Sequence, residues 1–304
     1  MAEPGYLNPA YARSLAEFGT PRRLNGSGAW ILAREIGGGD HWDAMNCYPI
    51  FSCLDWSGLP ADLENLGDLV SLTVVTDPFG DYDRGLLQRC FPDVMFLFKQ
   101  HFVTDLSMCP EEFVSPHHQR NARRALRRLT VTRCDDPPRY GREWTNLYGQ
   151  LIRRHKIRGI AAFSKAALRG QLEVPGLQMF RAEFEGEPAG MVLWMVQNGI
   201  AYYHLGAYNE PGYREGASFA LFWASLEYFR SERLGWLSLG AGAGIRDEDN
   251  GLARFKRGWS TGARPVYLCC RILDPEAYAR LASQRSGSDF RQRYFPAYRE
   301  GEFG

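Results

Sequence analysis

Apolar positions along this chain change their spacing several times, and each change marks an expected element. Leu69–Thr76 is almost wholly apolar and β-branched, the composition of a buried strand. Ala29–Glu35, Tyr48–Leu54 and Asp93–Asp105 also read as strands, with a turn cluster after Thr76 leading to a helix near Gly85–Phe91. Asn8-Pro9 has the form of an N-cap followed by proline at the first helical position, which predicts a short helix to Phe18. Ser115-Pro116 repeats that signal and opens an arginine-rich helix. After the breaker Cys-Asp-Asp-Pro-Pro-Arg, two further helices are expected near Arg139–Lys156 and Ser164–Leu172.

The clearest pattern runs from Leu177 to Asp274. Strands are expected at Leu177–Glu185, Ala189–Gln197 and Ile200–Tyr208. Asn198-Gly199 supplies the two positive-φ positions of a type I′ hairpin turn. Asn209–Gly216 reads as a Gly/Pro loop. Ala217–Arg233 carries Phe219, Phe222, Leu226 and Phe229 at helical spacing. A short strand at Trp236–Gly240 precedes Gly-Ala-Gly-Ala-Gly, a helix at Gly251–Trp259 and a closing strand at Arg264–Leu273. The order β-β-β-α-β-α-β, with alternating elements before it, predicts an α/β fold with a mixed, mostly antiparallel sheet flanked by helices. The chain divides into residues 1–110 and 111–304, the basic helix opening the second part.

Composition narrows the function classes. A chain of 304 residues with 45% hydrophobic and 23% charged residues supports a packed core and excludes wholesale disorder. A formal charge of +1 provides no global field toward nucleic acid or membrane, so any polyanion must meet a local cluster. Seven cysteines without a CxxC pair, two of them adjacent at Cys269 and Cys270, suit neither a disulfide framework nor a zinc site. Asp40, His41 and Asp43 lack a further ligand at metal spacing and read as polar loop residues, so no metal is expected. The N-terminus has no signal-peptide pattern, and no apolar run approaches the roughly 20 residues of a membrane span. A cytoplasmic protein is the expectation.

Four passages carry a family likeness. They are His-His-Gln-Arg-Asn-Ala-Arg-Arg-Ala-Leu-Arg-Arg-Leu, Leu-Ile-Arg-Arg-His-Lys-Ile-Arg-Gly-Ile, the stretch from Tyr213 to the Gly-Ala-Gly-Ala-Gly run, and Gly-Leu-Ala-Arg-Phe-Lys-Arg-Gly-Trp before the last strand. Together, over roughly residues 113–273, they resemble the Fem family of the GNAT superfamily, the aminoacyl-tRNA-dependent transferases that build peptidoglycan cross-bridges, with their smaller relatives. The resemblance implies two fused GNAT-like domains, the first degenerate and the second carrying the transfer chemistry. It places the Phe-Lys pair of the catalytic region on Phe255 and Lys256. It also implies aminoacyl-tRNA as donor with no permanently bound cofactor. The acceptor is an amine on a cell-wall precursor or a small natural product. The long coiled-coil arm of some members has no counterpart.

The residues support that chemistry in stated ways. Amide formation builds negative charge on the attacked carbonyl oxygen, and one fixed donor there lowers the barrier by about 3–4 kcal/mol. Lys256, flanked by Phe255 and Trp259, is a candidate for that cation; a surface lysine is the alternative. Tyr203 and His204 lie on one strand and point to opposite faces, so at most one meets the substrate. His204 is a candidate general base, against a satisfied sheet histidine or proton loss assisted by the substrate. Tyr213-Arg214-Glu215-Gly216-Ala217-Ser218 only partly matches the Q/R-x-x-G-x-G/A phosphate cradle of acyl-CoA-using GNATs, with Gly216 in place and Arg214 as a phosphate candidate. This weakens, without removing, the alternative of an acyl-CoA-dependent N-acyltransferase. Arg120, Arg124 and Arg127 or Arg128 share a helix face that suits a tRNA backbone or simply solvent. Arg154, with Lys156 beside it, takes the acceptor-phosphate role that the resemblance implies. A non-catalytic binding protein that keeps the fold is a third reading.

Overall fold

The computed structural model describes residues 3–242, 250–285 and 294–302. In chain order, helix α1 (Pro9–Ser14) precedes strands β1 (Thr20–Arg23), β2 (Trp30–Glu35) and β3 (Trp42–Asn46). Helix α2 (Leu59–Glu64), strand β4 (Ser71–Val75), helix α3 (Arg84–Cys90) and strand β5 (Val94–Asp105) follow. Then come helices α4 (Pro110–Phe113) and α5 (Pro116–Leu126), strand β6 (Thr130–Cys134), and helices α6 (Gly141–His155) and α7 (Lys165–Leu172). The meander β7 (Leu177–Phe184), β8 (Glu187–Gln197) and β9 (Ile200–Tyr208) leads to helices α8 (Glu210–Glu215) and α9 (Ala217–Ser231). Strand β10 (Trp236–Gly240), helix α10 (Gly251–Arg257), strand β11 (Gly262–Ile272) and helix α11 (Pro275–Arg285) are the last of the described strands and α-helices. The expected Gly-Ala-Gly-Ala-Gly run extends past residue 242, so its end lies outside the described residues.

Contacts group the chain into two units, and these do not follow the linear parts 1–110 and 111–304. One unit holds residues up to 10, 99–157 and 163–265; the other holds 11–98, 158–162 and 266 onward.

In the first unit the strand order is β5-β10-β9-β8-β7-β6. Only β9 and β10 are parallel. Asn198 (φ 50°) and Gly199 (φ 73°) make the hairpin turn between β8 and β9, as their left-handed preference dictates. The inward faces of β7, β8 and β9 and the apolar side of α9 form one core around Phe180, Trp194, Phe222, Phe229 and Leu237. Trp194, fully buried, keeps its indole N–H satisfied by donating to Ser225 Oγ (3.1 Å). Helix α5 starts where Ser115 Oγ accepts from His118 N (3.3 Å) and packs Ala122 and Ala125 inward. Its arginines fall on the exposed side.

The second unit orders its strands β1-β2-β3-β4-β11, with β3 and β4 the parallel pair. Both units therefore show one grammar: an antiparallel meander, a parallel neighbour, then an antiparallel strand. In each, that last strand comes from the distant part of the sequence. The core gathers Ile31, Phe51, Trp56, Leu72, Val74 and Cys269.

Three local expectations need correction. The strand expected over Tyr48–Leu54 is absent; only Phe51 bridges to Thr76, and the neighbour of β2 is β3 instead. Pro49 has no N–H to give a ladder. Asp43, read as a loop residue, lies within β3 at 1% exposure, where Arg299 donates to both of its oxygens (2.5 and 3.0 Å). That pairing lets a carboxylate occupy a buried strand position. The Asn209–Gly216 loop contains α8, started by Asn209 Oδ1 accepting from Gly212 N (3.0 Å), with Pro211 in its first turn.

Gly212 fixes α8 against β8. A Cβ there would lie 1.9 Å from the Ala189 carbonyl oxygen, a backbone atom that has no rotamer to retreat into. Gly212→Ala is expected to lower the unfolding free energy by about 1–3 kcal/mol, the usual cost of overpacking, in urea denaturation followed by circular dichroism.

Candidate functional site

Strands β9 and β10 pair only over Ile200–Tyr202 and Trp236–Ser238. Beyond that the register of β10 on β5 breaks between Ser238 and Gly240, and Gly240 takes a positive φ of 72°. The two parallel strands part there, and α10 places a lysine at the parting. Asn250 Oδ1 starts α10 by accepting from Ala253 N (2.9 Å). One turn later Phe255 and Lys256 point to different surroundings. Phe255 packs among Phe219, Phe222 and Trp259, with ring centroids 4.9–6.2 Å away. Lys256, only 6% exposed, donates from Nζ to the Ala241 carbonyl (2.7 Å) and lies 5.4 Å from the centroid of the Tyr203 ring. A Cβ at Gly240 would come 3.2 Å from Nζ, so glycine serves both the backbone turn and the room for the ammonium.

Burial, and next the charge of Lys99, push the Lys256 pKa down to about 7. An ammonium in so dry a place acts on neighbouring charge far more strongly than one in water. Tyr203 is held flat beneath it by Trp194 (5.4 Å) and Phe222 (5.0 Å).

His118 braces this arrangement and was invisible as a site residue in the sequence. Its Nε2 donates to the Phe255 carbonyl (2.9 Å) and its Nδ1 meets Ser115 Oγ at 2.7 Å. The carbonyl can only accept, so Nδ1 carries the lone pair and accepts from the serine hydroxyl. Burial holds its pKa below the usual histidine value, consistent with that neutral ring. Gly258 leaves space for the imidazole, since a Cβ there would fall 2.2 Å from it. The basic helix thus locks the turn that carries the Phe-Lys pair.

His204 does not join Lys256. It lies on the opposite face of β9 from Tyr203, at 5% exposure. Its Nε2 donates to Gln171 Oε1 (3.2 Å) and its Nδ1 accepts from Tyr6 OH (3.2 Å). Burial pushes its pKa down to about 3. With both nitrogens engaged and protonation so costly, it has the properties of the satisfied sheet histidine, not of a base.

Of the remaining candidates, Arg154 is exposed on α6. It pairs with Glu210 (3.0 Å) and lies 4.1 Å over the Tyr213 ring, which brings it to α8. Lys156 is the exposed left-handed residue (φ 50°) that ends α6. Glu215 is not a loose opposing charge: Arg128 and Arg214 both pair with it at 3.0 Å, and both lie over the Phe184 ring. Gly216, with φ 75°, ends α8 and begins α9, whose first turn has no capping side chain. Arg120, Arg124 and Arg127 are exposed and form no ion pair among the described residues. No group of metal-ligating side chains occurs among the described residues, and none of their helices is long and apolar enough to cross a membrane.

The depressed lysine has a consequence for stability. Between about pH 7 and its ordinary value of 10.5, the unfolded chain binds a proton at Lys256 that the folded chain does not. The cost of the buried charge is therefore full below pH 7 and fades as pH rises toward 10.5. Lys256→Met is expected to be about 1–3 kcal/mol more stable than the parent at pH 6, with the gap closing by pH 10, in urea titrations at both pH values.

Comparison with known proteins fits this geometry. Residues 116–257, from the start of α5 to the end of α10, match the family model described as an acetyltransferase (GNAT) domain. No curated protein matches the chain by sequence. Among solved structures, FemX is similar with a TM-score of 0.67 at 14% identity, covering 91% of this chain and 95% of that one. The C-terminal domain of a candidate lysylphosphatidylglycerol synthetase from Agrobacterium fabrum gives 0.62 at 16%, covering 90% of each chain. L-PGS from Bacillus licheniformis gives 0.60 at 16%, covering 89% of this chain and 93% of that one. The segment that matches the GNAT acetyltransferase model thus includes the buried Lys256, and it lies within a fold that the chain shares over about nine-tenths of its length with FemX and the synthetase structures.

Proposed function

We propose that the protein transfers an aminoacyl group from aminoacyl-tRNA to an amine acceptor, forming an amide bond in the cytoplasm where charged tRNA is found. The carrying observation is the buried ammonium of Lys256 where β9 and β10 part, held by the Ala241 carbonyl above Tyr203. The acceptor nitrogen attacks the ester carbonyl carbon and a C–N bond forms. The carbonyl oxygen becomes an oxyanion beside Nζ. Collapse breaks the bond to the ribose oxygen of the tRNA, which leaves with the proton that the amine gives up. No protein base is needed in that balance, in keeping with the engaged nitrogens of His204.

Phe255 acts by anchoring the turn, and Tyr203 by forming the floor under the reacting ester. The fold shared with FemX and the lysylphosphatidylglycerol synthetase structures supports an aminoacyl donor. Arg120, Arg124, Arg127 and Arg128 supply an exposed basic face for the tRNA backbone. Arg154, which pairs with Glu210 of α8, is read with its neighbour Lys156 as holding a phosphate of the acceptor, which is a cell-wall precursor or a small natural-product amine. The linear parts 1–110 and 111–304 are read as two fused GNAT-like domains, the repeated strand grammar being the support.

Acyl-CoA as donor is the second reading, favoured by the uncapped start of α9 at Gly216 and by the acetyltransferase model that matches this segment. Mass spectrometry of reactions supplied with charged tRNA or with an acyl-CoA panel separates the two. Product from charged tRNA, abolished by RNase, is expected. Product formed only with CoA donors would replace the first reading by the second. Under either, Lys256→Met is expected to lower kcat by about 10²–10³-fold, the range for loss of one oxyanion donor.

The arginine face makes a separate prediction. Replacing Arg120, Arg124 and Arg127 together by Ala is expected to weaken tRNA binding and flatten the slope of log K against log salt by about 2, in filter-binding titrations across salt concentrations. An unchanged slope would show that this face is only solvated.

A further inference from the structure

Two arginines and one glutamate form a small assembly beside the start of α9. Arg128 stands in the turn that ends α5, where its N–H donates to the Ala125 carbonyl (2.9 Å), and Arg214 and Glu215 close α8. Each arginine brings its Nε to a different oxygen of the Glu215 carboxylate, both at 3.0 Å. Both guanidinium carbons also lie over the same Phe184 ring, 5.5 and 5.7 Å from its centroid. Two contacts thus fix each guanidinium, where a surface arginine otherwise keeps most of its rotamer freedom. The arginine side chains are 56 and 60% exposed and the Glu215 side chain only 10%. The carboxylate therefore lies beneath the guanidiniums and not in front of them. It engages their Nε atoms, and the four Nη nitrogens have no hydrogen-bond partner among the described residues.

Two cations on one carboxylate leave one positive charge uncompensated. Planar guanidiniums in fixed orientation suit the oxygens of a phosphate, which accept paired N–H bonds. The α5 arginines indicate which kind of phosphate. Arg124 lies one turn before Arg128 and Arg120 one turn before that, all exposed, so the assembly ends a row of positive charges. A row suits a chain of phosphates better than a single small ligand.

We propose that Arg128 and Arg214 clamp one backbone phosphate of the donor tRNA, with Glu215 as the positioning residue that holds both forks in place. The clamp refines the tRNA reading and rests on it. It also reverses the part expected of Glu215. An acidic residue on an RNA-binding face ordinarily repels the polyanion, whereas this one orders the two cations that attract it.

Filter binding of uncharged tRNA to the full-length protein tests the clamp, and the sign of one effect separates order from charge. Glu215→Gln removes a negative charge, so Coulomb attraction alone would tighten binding. The clamp predicts a Kd about tenfold weaker, the loss of one charge-assisted hydrogen bond. Arg128→Lys and Arg214→Lys keep the charge and lose the fork. Each is expected to weaken Kd about tenfold with the salt dependence unchanged, and the two together by little more, because half a clamp is already open. These lysines replace exposed side chains, so their result stands even if Glu215→Gln disturbs α8. Tighter binding in a folded Glu215→Gln variant, or lysine variants that bind as the parent does, would overturn the clamp and leave the tRNA reading in place. A parent protein that binds no tRNA would overturn both. Loss of CoA binding in the lysine variants, with tRNA binding unmoved, would give the arginines to another ligand and also overturn the proposal.

Discussion

One hydrogen bond organises the GNAT-type segment: the ammonium of Lys256 on the Ala241 carbonyl. A lysine taken out of water must find an acceptor or surrender its proton. Here it does both in part, with a carbonyl at 2.7 Å and a pKa near 7. Nearly every local feature follows from keeping that charge in place. Gly240 gives it room and turns the strand, Tyr203 lies beneath it, and Phe255 pins the helix from which it projects. His118 ties that helix to α5 through the Phe255 carbonyl.

The cost of this design falls on stability and its benefit on polarity. A buried cation with a single fixed acceptor is poorly solvated in the resting protein, and so is ready to favour any negative charge that develops beside it. Lys99 adds to the strain by raising the local positive field. An enzyme that stabilises a charged intermediate gains from a site that is uncomfortable while empty. The neutral histidines around it, His101 and His118, are polar without being charged, so they add nothing to the positive field of the lysines.

Much of this was legible in the letters, and what was not has physical reasons. The β7–β8–β9 meander, its Asn198-Gly199 turn and β10 declare themselves because burial on one face forces a visible period. Strand β3 was missed because a carboxylate sits in its middle, neutralised by Arg299 from more than 250 positions away, and no local pattern reveals such a partner. β1 and β6 are edge strands with exposed positions, and α8 is a single short turn that proline and glycine disguise as loop. Phe255 and Lys256 were recognisable as a pair through a family likeness. His118 was not, because the carbonyl that it holds belongs to a residue 137 positions away, and no spacing encodes that contact. Arg154 and Arg214 pair with glutamates of α8, and Lys156 ends α6 in the open; none of them takes part in the hydrogen bonds of Lys256 and His204.

The exchange of terminal strands has a bearing on biosynthesis. β4 takes its antiparallel neighbour from residues 268–272, and β10 takes its own from residues 102–105. On a ribosome, the earlier sheet must wait with an open edge until almost the whole polypeptide has emerged, whereas the later one finds its borrowed strand already made. The order of maturation is thereby reversed with respect to the order of synthesis, and the segment bearing Lys256 can close its sheet first.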